Sequence, residues 1–148
     1  MPQETASLTM PGRVDAVPPI RHWLEGVLAG WSVSAQAISD LSVAVTEICT
    51  NVARYGYGDS GKEEIALRVT KAGTTVTVMI EDAADSSLPP RLPSLPDEPM
   101  AEGGYGQFLI QALVDEVSHR RLRPRGNRIT LVKFDHPAAP APSPSTPS

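Results

Sequence analysis

Two side chains able to do chemistry lie one helical turn apart in the stretch LSVAVTEICTNVARYGYG, Leu41 to Gly58. At about 100° per residue, Glu47 and Asn51 stand only about 40° apart around a helix. Leu41, Ala44, Val45, Ile48 and Val52 supply that helix's apolar arc, so the pair borders a core and does not face bulk solvent. An ordinary polar edge accounts for two such residues. The alternative is a hard-ion site. An asparagine offers a neutral oxygen to Mg²⁺, which takes few protein ligands, and a carboxylate one turn earlier is placed to act as general base near the same phosphates.

Three further features bear on that alternative. In EGGYGQFLIQALVDEV, Gly103, Gly104 and Gly106 run directly into an amphipathic pattern. Backbone N–H groups at such a helix start bind phosphate, and glycine permits close approach. The spacing matches neither GxxxxGK[ST] nor a G-x-G-x-x-G after a strand, which disfavours P-loop and dinucleotide sites. Asp82 ends the apolar strand TVTVMI; it is either a turn residue or an acceptor for an exocyclic amine such as that of adenine. Thr130 in the last strand is either a β-former or a residue facing the same pocket.

These residues need elements to position them. ASLTMPG (Ala6 to Gly12) reads as a weak strand, and Val14 to Gly30 as a helix through Val17, Ile20, Leu24 and Val27/Leu28, with Pro18 and Pro19 near its start. Ser34 offers an N-cap to a second helix reaching Ala53 to Tyr55, which Gly56 and Gly58 break. EIALRVT and TVTVMIED alternate apolar and polar residues around KAGT, a hairpin. Gly106 to Val117 reads as a helix through Phe108, Leu109, Leu113 and Val117. Val117 to Arg123 and Arg128 to Phe134, joined by PRGN, form a last hairpin. The order β-α-α-β-β-α-β-β predicts an α+β fold: a two-layer α/β sandwich with a mixed, mostly antiparallel sheet and helices on one face.

Residues 1–136 are expected to form one domain, and the Pro/Ala/Ser-rich run from Pro137 to Ser148 a disordered tail. A second proline-rich stretch, Ser86 to Pro99, is too broken for a regular element. The 148 residues, 41% hydrophobic and 20% charged, suit a soluble globular chain. A formal net charge of −4 gives no global attraction to nucleic acid or anionic membrane. Arg120, Arg121, Arg123, Arg125 and Arg128 do gather, as a solvated strand and turn or as a local docking surface. The single cysteine, Cys49, excludes an internal disulfide and reads as a buried hydrophobe. His22, His119 and His136 lack metal-ligand spacing. No leader or membrane-length apolar run is seen, so a cytoplasmic protein is expected.

The order of the motifs is more specific than any one of them. E-x-x-x-N in a helix, a hairpin ending in Asp, a long loop and GGxG opening a helix together resemble the GHKL (Bergerat-fold) ATPases. More narrowly, LSVAVTEICTNVARYGY and GGYGQFLIQALVDEV resemble the RsbW-type anti-sigma-factor serine kinases, whose helices read E-x-x-T-N-x-x-x-H-x-Y and G-G-x-G-x-x-L-I-x-x-x-x-D-E-V. The likeness covers roughly Val14 to Phe134. It implies that Glu47 is the catalytic base, Asn51 the Mg²⁺ ligand, and Asp82 the acceptor of the adenine amine. It further implies that Gly103, Gly104 and Gly106 form the phosphate turn, that Thr130 lies near the adenine, and that the proline-rich loop takes the place of an ATP lid.

The implied activity is that of an anti-sigma factor and ATP-dependent protein serine kinase acting on a STAS-domain anti-anti-sigma antagonist. ATP and Mg²⁺ are the implied ligands, a sigma factor the other partner, and a homodimer the implied assembly. Two departures stand out: the family's D-x-G-x-G is DAADSS here, and its histidine four residues after the asparagine is Tyr55. The missing glycines motivate a second reading, a binding module that switches partners without phosphate transfer. A phosphotransfer component that binds no sigma factor is a third.

Overall fold

The computed structural model describes residues 3–57, 62–84 and 110–135. Strand β1 (Glu4–Pro11) leads through a 3₁₀ turn (Val14–Ala16) into helix α1 (Val17–Gly30). Helix α2 (Ala35–Asn51) continues into a π-helical turn (Val52–Gly56). Strands β2 (Glu64–Ala72), β3 (Thr75–Asp82), β4 (Glu116–Arg121) and β5 (Asn127–Phe134) complete the sheet. Its order is β1-β2-β3-β5-β4, and every described pair is antiparallel. The expected α+β class holds, with the sheet wholly antiparallel among the described strands.

Side-chain parity decides which face is covered. Ile65, Leu67 and Val69 of β2, Val76, Val78 and Ile80 of β3, and Ile129 and Leu131 of β5 are buried on one face. They meet Ile20, Leu24 and Leu28 of α1 and Leu41, Ala44, Val45 and Ile48 of α2 in one core. Each fully buried large aliphatic side chain contributes roughly 1.5–3 kcal/mol. Pro18 lies in the first turn of α1, where a missing N–H is harmless. The Ser34 Oγ accepts the Ala37 N–H at 3.1 Å and caps α2, a contribution of about 1 kcal/mol.

The direction of α2 matters for function. Its start is tied to the end of β5: Asp135 accepts the Ser34 N–H at 2.9 Å, and Lys133 pairs with Asp40 at 3.0 Å. Because β5 is antiparallel to β3, α2 and β3 run the same way. Both therefore finish at the same end of the sandwich.

Two expected boundaries move. Helical structure in residues 110–113 does not reach Val117, which lies within β4. The Asp115 N–H bonds to the Val132 carbonyl at 2.9 Å, and Asp115 accepts the Phe134 N–H at 2.6 Å, so the chain is already recruited to the sheet there. The last hairpin is also shifted: residues 122–126 connect its strands, and Asn127 opens β5 instead of ending the turn. No helix among the described residues is long and apolar enough to cross a membrane. The proline-rich stretch from Ser86 to Pro99 and the tail from Pro137 lie outside the described residues, as does the expected start of the third helix.

Candidate functional site

Asp82 is the last inward-facing residue of β3, in register with Ile65 of β2 and Asn127 of β5. Only 7% of it is exposed, an unusual place for a carboxylate. Its Oδ1 accepts the Ala84 N–H at 2.8 Å and the Asn127 Nδ2–H at 3.1 Å. Burial pushes the Asp82 carboxyl above its ordinary value; those two hydrogen bonds and the charges of His119 and Arg121 pull in the other direction. Ala84 is buried as well, and neither it nor Ala83 has a positive φ. The backbone after Asp82 thus adopts its path without glycine.

Tyr57 closes the site from the side of α2. Its hydroxyl accepts the Ala83 N–H at 2.6 Å and donates to the Glu64 carbonyl at 2.8 Å, linking the ends of β3 and β2. Burial pushes this phenol up to about 12, so it remains a donor at neutral pH. Two glycines admit these groups. A Cβ on Gly12 would run into the Tyr57 ring, and one on Gly126, at φ +108°, would meet the Asp82 carbonyl oxygen.

Glu47 and Asn51 are half-buried along one edge of α2, as the helical spacing requires. Among the described residues, neither side chain has a hydrogen-bond or ion-pair partner. Between them in sequence, Cys49 is wholly buried, and its thiol is pushed up to about 12 by burial, with the neighbouring Asp82 charge adding to the effect. Because α2 and β3 run the same way, the last turn of α2 and the end of β3 lie at one end of the sandwich, and with them two of the predicted elements, the Glu47/Asn51 helix and the Asp82 strand end.

Thr130 does not join them. It pairs with Met79 and Ser118, and strand parity turns it to the opposite face from Asp82. Asn127 occupies the place beside Asp82 instead. Gly103, Gly104 and Gly106 lie outside the described residues. Among the described residues no group of three His, Cys, Asp or Glu side chains is gathered around a metal position. A lone half-buried carboxamide at a helix end fits Mg²⁺, which draws most of its ligands from water and phosphate. The arginine-rich hairpin is partly neutralised, by Arg125 to Glu63 at 2.8 Å and Arg128 to Glu81 at 2.6 Å.

Asn127, His119 and Tyr57 were not singled out from sequence. In sequence Asn127 reads as part of the PRGN turn, although N-R-I-T-L alternates as β5 does, and Tyr57 reads as part of a glycine-rich helix exit.

Comparison with known proteins bears on the same residues. Residues 10–133 match the histidine kinase-like ATPase domain. The chain is 31% identical over 118 residues to the serine-protein kinase RsbW of Bacillus velezensis, covering 74% of each sequence. Its fold is similar to that in the crystal structure of the SiaB–SiaC complex from Pseudomonas aeruginosa, at TM-score 0.67 and 14% identity, over 86% of this chain and 88% of that one. It is also similar to the crystal structure of the RsbU and RsbW domains of a Mycobacterium tuberculosis protein, at TM-score 0.61 and 21% identity. That match covers 88% of this chain but only 32% of the larger one. With its family motifs on α2 and at the end of β3, the chain belongs to the histidine kinase-like ATPase domain family, in the RsbW-type branch.

Proposed function

We propose that the chain is an anti-sigma factor and ATP-dependent protein serine kinase that phosphorylates a STAS-domain antagonist. The observation that supports this reading is that the helix bearing Glu47 and Asn51 and the strand ending in the buried Asp82 carboxylate finish at the same end of the sandwich. In this reading the Asp82 carboxylate accepts the adenine amine, and Gly103, Gly104 and Gly106 hold the phosphates. The Asn51 carboxamide oxygen holds Mg²⁺, which when bound offsets phosphate charge. Glu47 accepts the proton of the antagonist's serine hydroxyl as that oxygen attacks the terminal phosphorus, the bond from that phosphorus to the bridging oxygen breaks, and ADP leaves. Phosphorylated antagonist leaves, and the kinase recaptures its sigma factor in the cytoplasm. A homodimer is the proposed assembly.

The test is incubation with Mg-ATP and the STAS-domain protein recovered with this chain from its native cell, followed by mass spectrometry of the antagonist. A phosphoserine that vanishes with Glu47→Ala supports the kinase. The sequence DAADSS, with the Ala84 methyl buried where the family carries glycine, favours a second reading: a module that binds the antagonist without transferring phosphate. Capture of the antagonist with no phosphoserine at any ATP concentration would select it. Recovery of the antagonist but no sigma factor would remove the anti-sigma assignment alone.

A further inference from the structure

Asp82 does not stand alone: it begins a buried chain of polar groups running to the edge of the sheet. Asn127, 1% exposed, donates from Nδ2 to Asp82 Oδ1 at 3.1 Å, and its own Oδ1 lies 2.8 Å from His119 Nε2. Cross-strand geometry explains the reach. Asn127 faces Asp82 directly across β3 and β5, whereas His119, opposite Ile129 on β4, is its diagonal neighbour on the same face.

The donor order follows from the chemistry of the end group. An ionised carboxylate only accepts, so the Asn127 amide must present its NH₂ to Asp82. Its oxygen then faces His119, and the Nε2 of that ring must carry a hydrogen and donate it. The Ala84 N–H takes the same Asp82 oxygen at 2.8 Å. Oδ1 is thereby engaged twice and the carboxylate cannot rotate freely, which leaves Oδ2 as the oxygen offered to a ligand.

What Oδ2 selects depends on its being an acceptor. A 6-aminopurine donates to it; a 6-oxopurine opposes a carbonyl oxygen to a carboxylate. A protonated Asp82 would donate to that same 6-oxo group and lose the distinction. Burial works toward protonation, and the amide hydrogen bond works against it.

We infer that Asn127 is the base-specificity residue of the pocket: its amide holds Asp82 as a fixed acceptor, so that a 6-aminopurine nucleotide is chosen over a 6-oxopurine one. Asn127 acts through Asp82 and is a positioning residue. This deepens, and rests on, the proposed adenine role of Asp82.

Equilibrium titration of the full chain with Mg-ATP and Mg-ITP tests it. Asn127→Val and Asn127→Thr have nearly the same shape and differ by one hydroxyl donor. Wild type favours ATP. Asn127→Val lowers the ATP-to-ITP affinity ratio by about tenfold, through weaker ATP binding with ITP unchanged or tighter. Asn127→Thr restores most of the ratio. A wild-type ratio in Asn127→Val, or equal loss in both variants, overturns the inference while leaving nucleotide binding intact. Should Asn127→Val not fold, His119→Leu on the half-exposed edge strand frees the amide to turn and lowers the ratio severalfold; an unchanged ratio there also overturns the inference. Wild type that binds neither nucleotide removes the adenine reading itself, and this inference with it. Wild type that binds both equally removes the adenine-amine role of Asp82 together with the inference, while nucleotide binding itself stands.

Discussion

Tyr57→Phe isolates the bridge that ties the backbone following Asp82 to the start of β2. The substitution keeps the ring, which packs against Gly12, and removes only the hydroxyl. Two hydrogen bonds are lost, from the Ala83 N–H at 2.6 Å and to the Glu64 carbonyl at 2.8 Å. Each contributes a net of about 0.5–1.5 kcal/mol, and the Glu64 side is open to water, so the expected loss is about 1–2 kcal/mol. Urea unfolding at pH 7 measures it, with the m-value unchanged. The pH dependence supplies a second reading. Burial raises the phenol from 10 to about 12, so the folded state keeps its proton where the unfolded state has released it. Wild-type stability from this group is fully present below pH 10 and is lost as pH rises through 12. The variant lacks the group, and the gap between the two narrows over that window. Mg-ATP affinity should fall as well, because Ala83 anchors the backbone whose next N–H holds Asp82. A loss under about 0.5 kcal/mol with unchanged affinity would refute the bridge as an organising contact.

Three other substitutions probe neighbouring parts of the site. Asp82→Asn keeps an oxygen for Asn127 and Ala84 but has no charge to desolvate, so at pH 7 it should melt above wild type while losing nucleotide binding. Since the wild-type carboxyl is raised in the folded state, wild-type stability recovers as pH falls toward the ordinary carboxylate value; calorimetry should show the two melting points converging. Gly126→Ala must hold φ near +108° with a Cβ against the Asp82 carbonyl, and urea unfolding should show a loss of about 2 kcal/mol or more. Asn51→Ala at a half-buried helix edge should leave stability within about 0.5 kcal/mol and abolish Mg²⁺-dependent nucleotide affinity; unchanged Mg-ATP binding by calorimetry removes the metal assignment.

The elements that carry the site were legible where periodicity was long. The 3.6-residue pattern of α2 and the alternation of β2 and β3 are local properties, and they put Glu47 and Asn51 at the border of the core and Asp82 at the end of β3, where the structure has them half-buried and buried. Thr130 was not legible in the same way. Its face depends on strand parity counted from the true start of β5, and one residue of register reverses it. The turn residues in PRGN obscured that start, because asparagine serves equally as a turn residue and as a buried donor. Only the pairing of Asn127 with Asp82, 45 positions apart, decides between them.

The same limit explains the end of α2, and there the structure adds a physical step. Asn51 is the last α-helical residue, and the next turn is π-helical, closed by the Tyr57 N–H on the Val52 carbonyl at 2.9 Å. A π turn inserts an extra residue into the helical repeat, and such turns recur at functional sites. Up to Asn51, therefore, side-chain spacing stays regular and keeps the carboxamide in line with Glu47. Beyond it the widened turn shifts the phase and lets Tyr57 reach across to Ala83, while Val52 and Ala53 stay buried. A continuous α-helix would carry position 57 about 100° further round than a π turn does. Regular geometry for the α2 pair and irregular geometry for the bridge are thus parts of one arrangement, with the change made directly after Asn51.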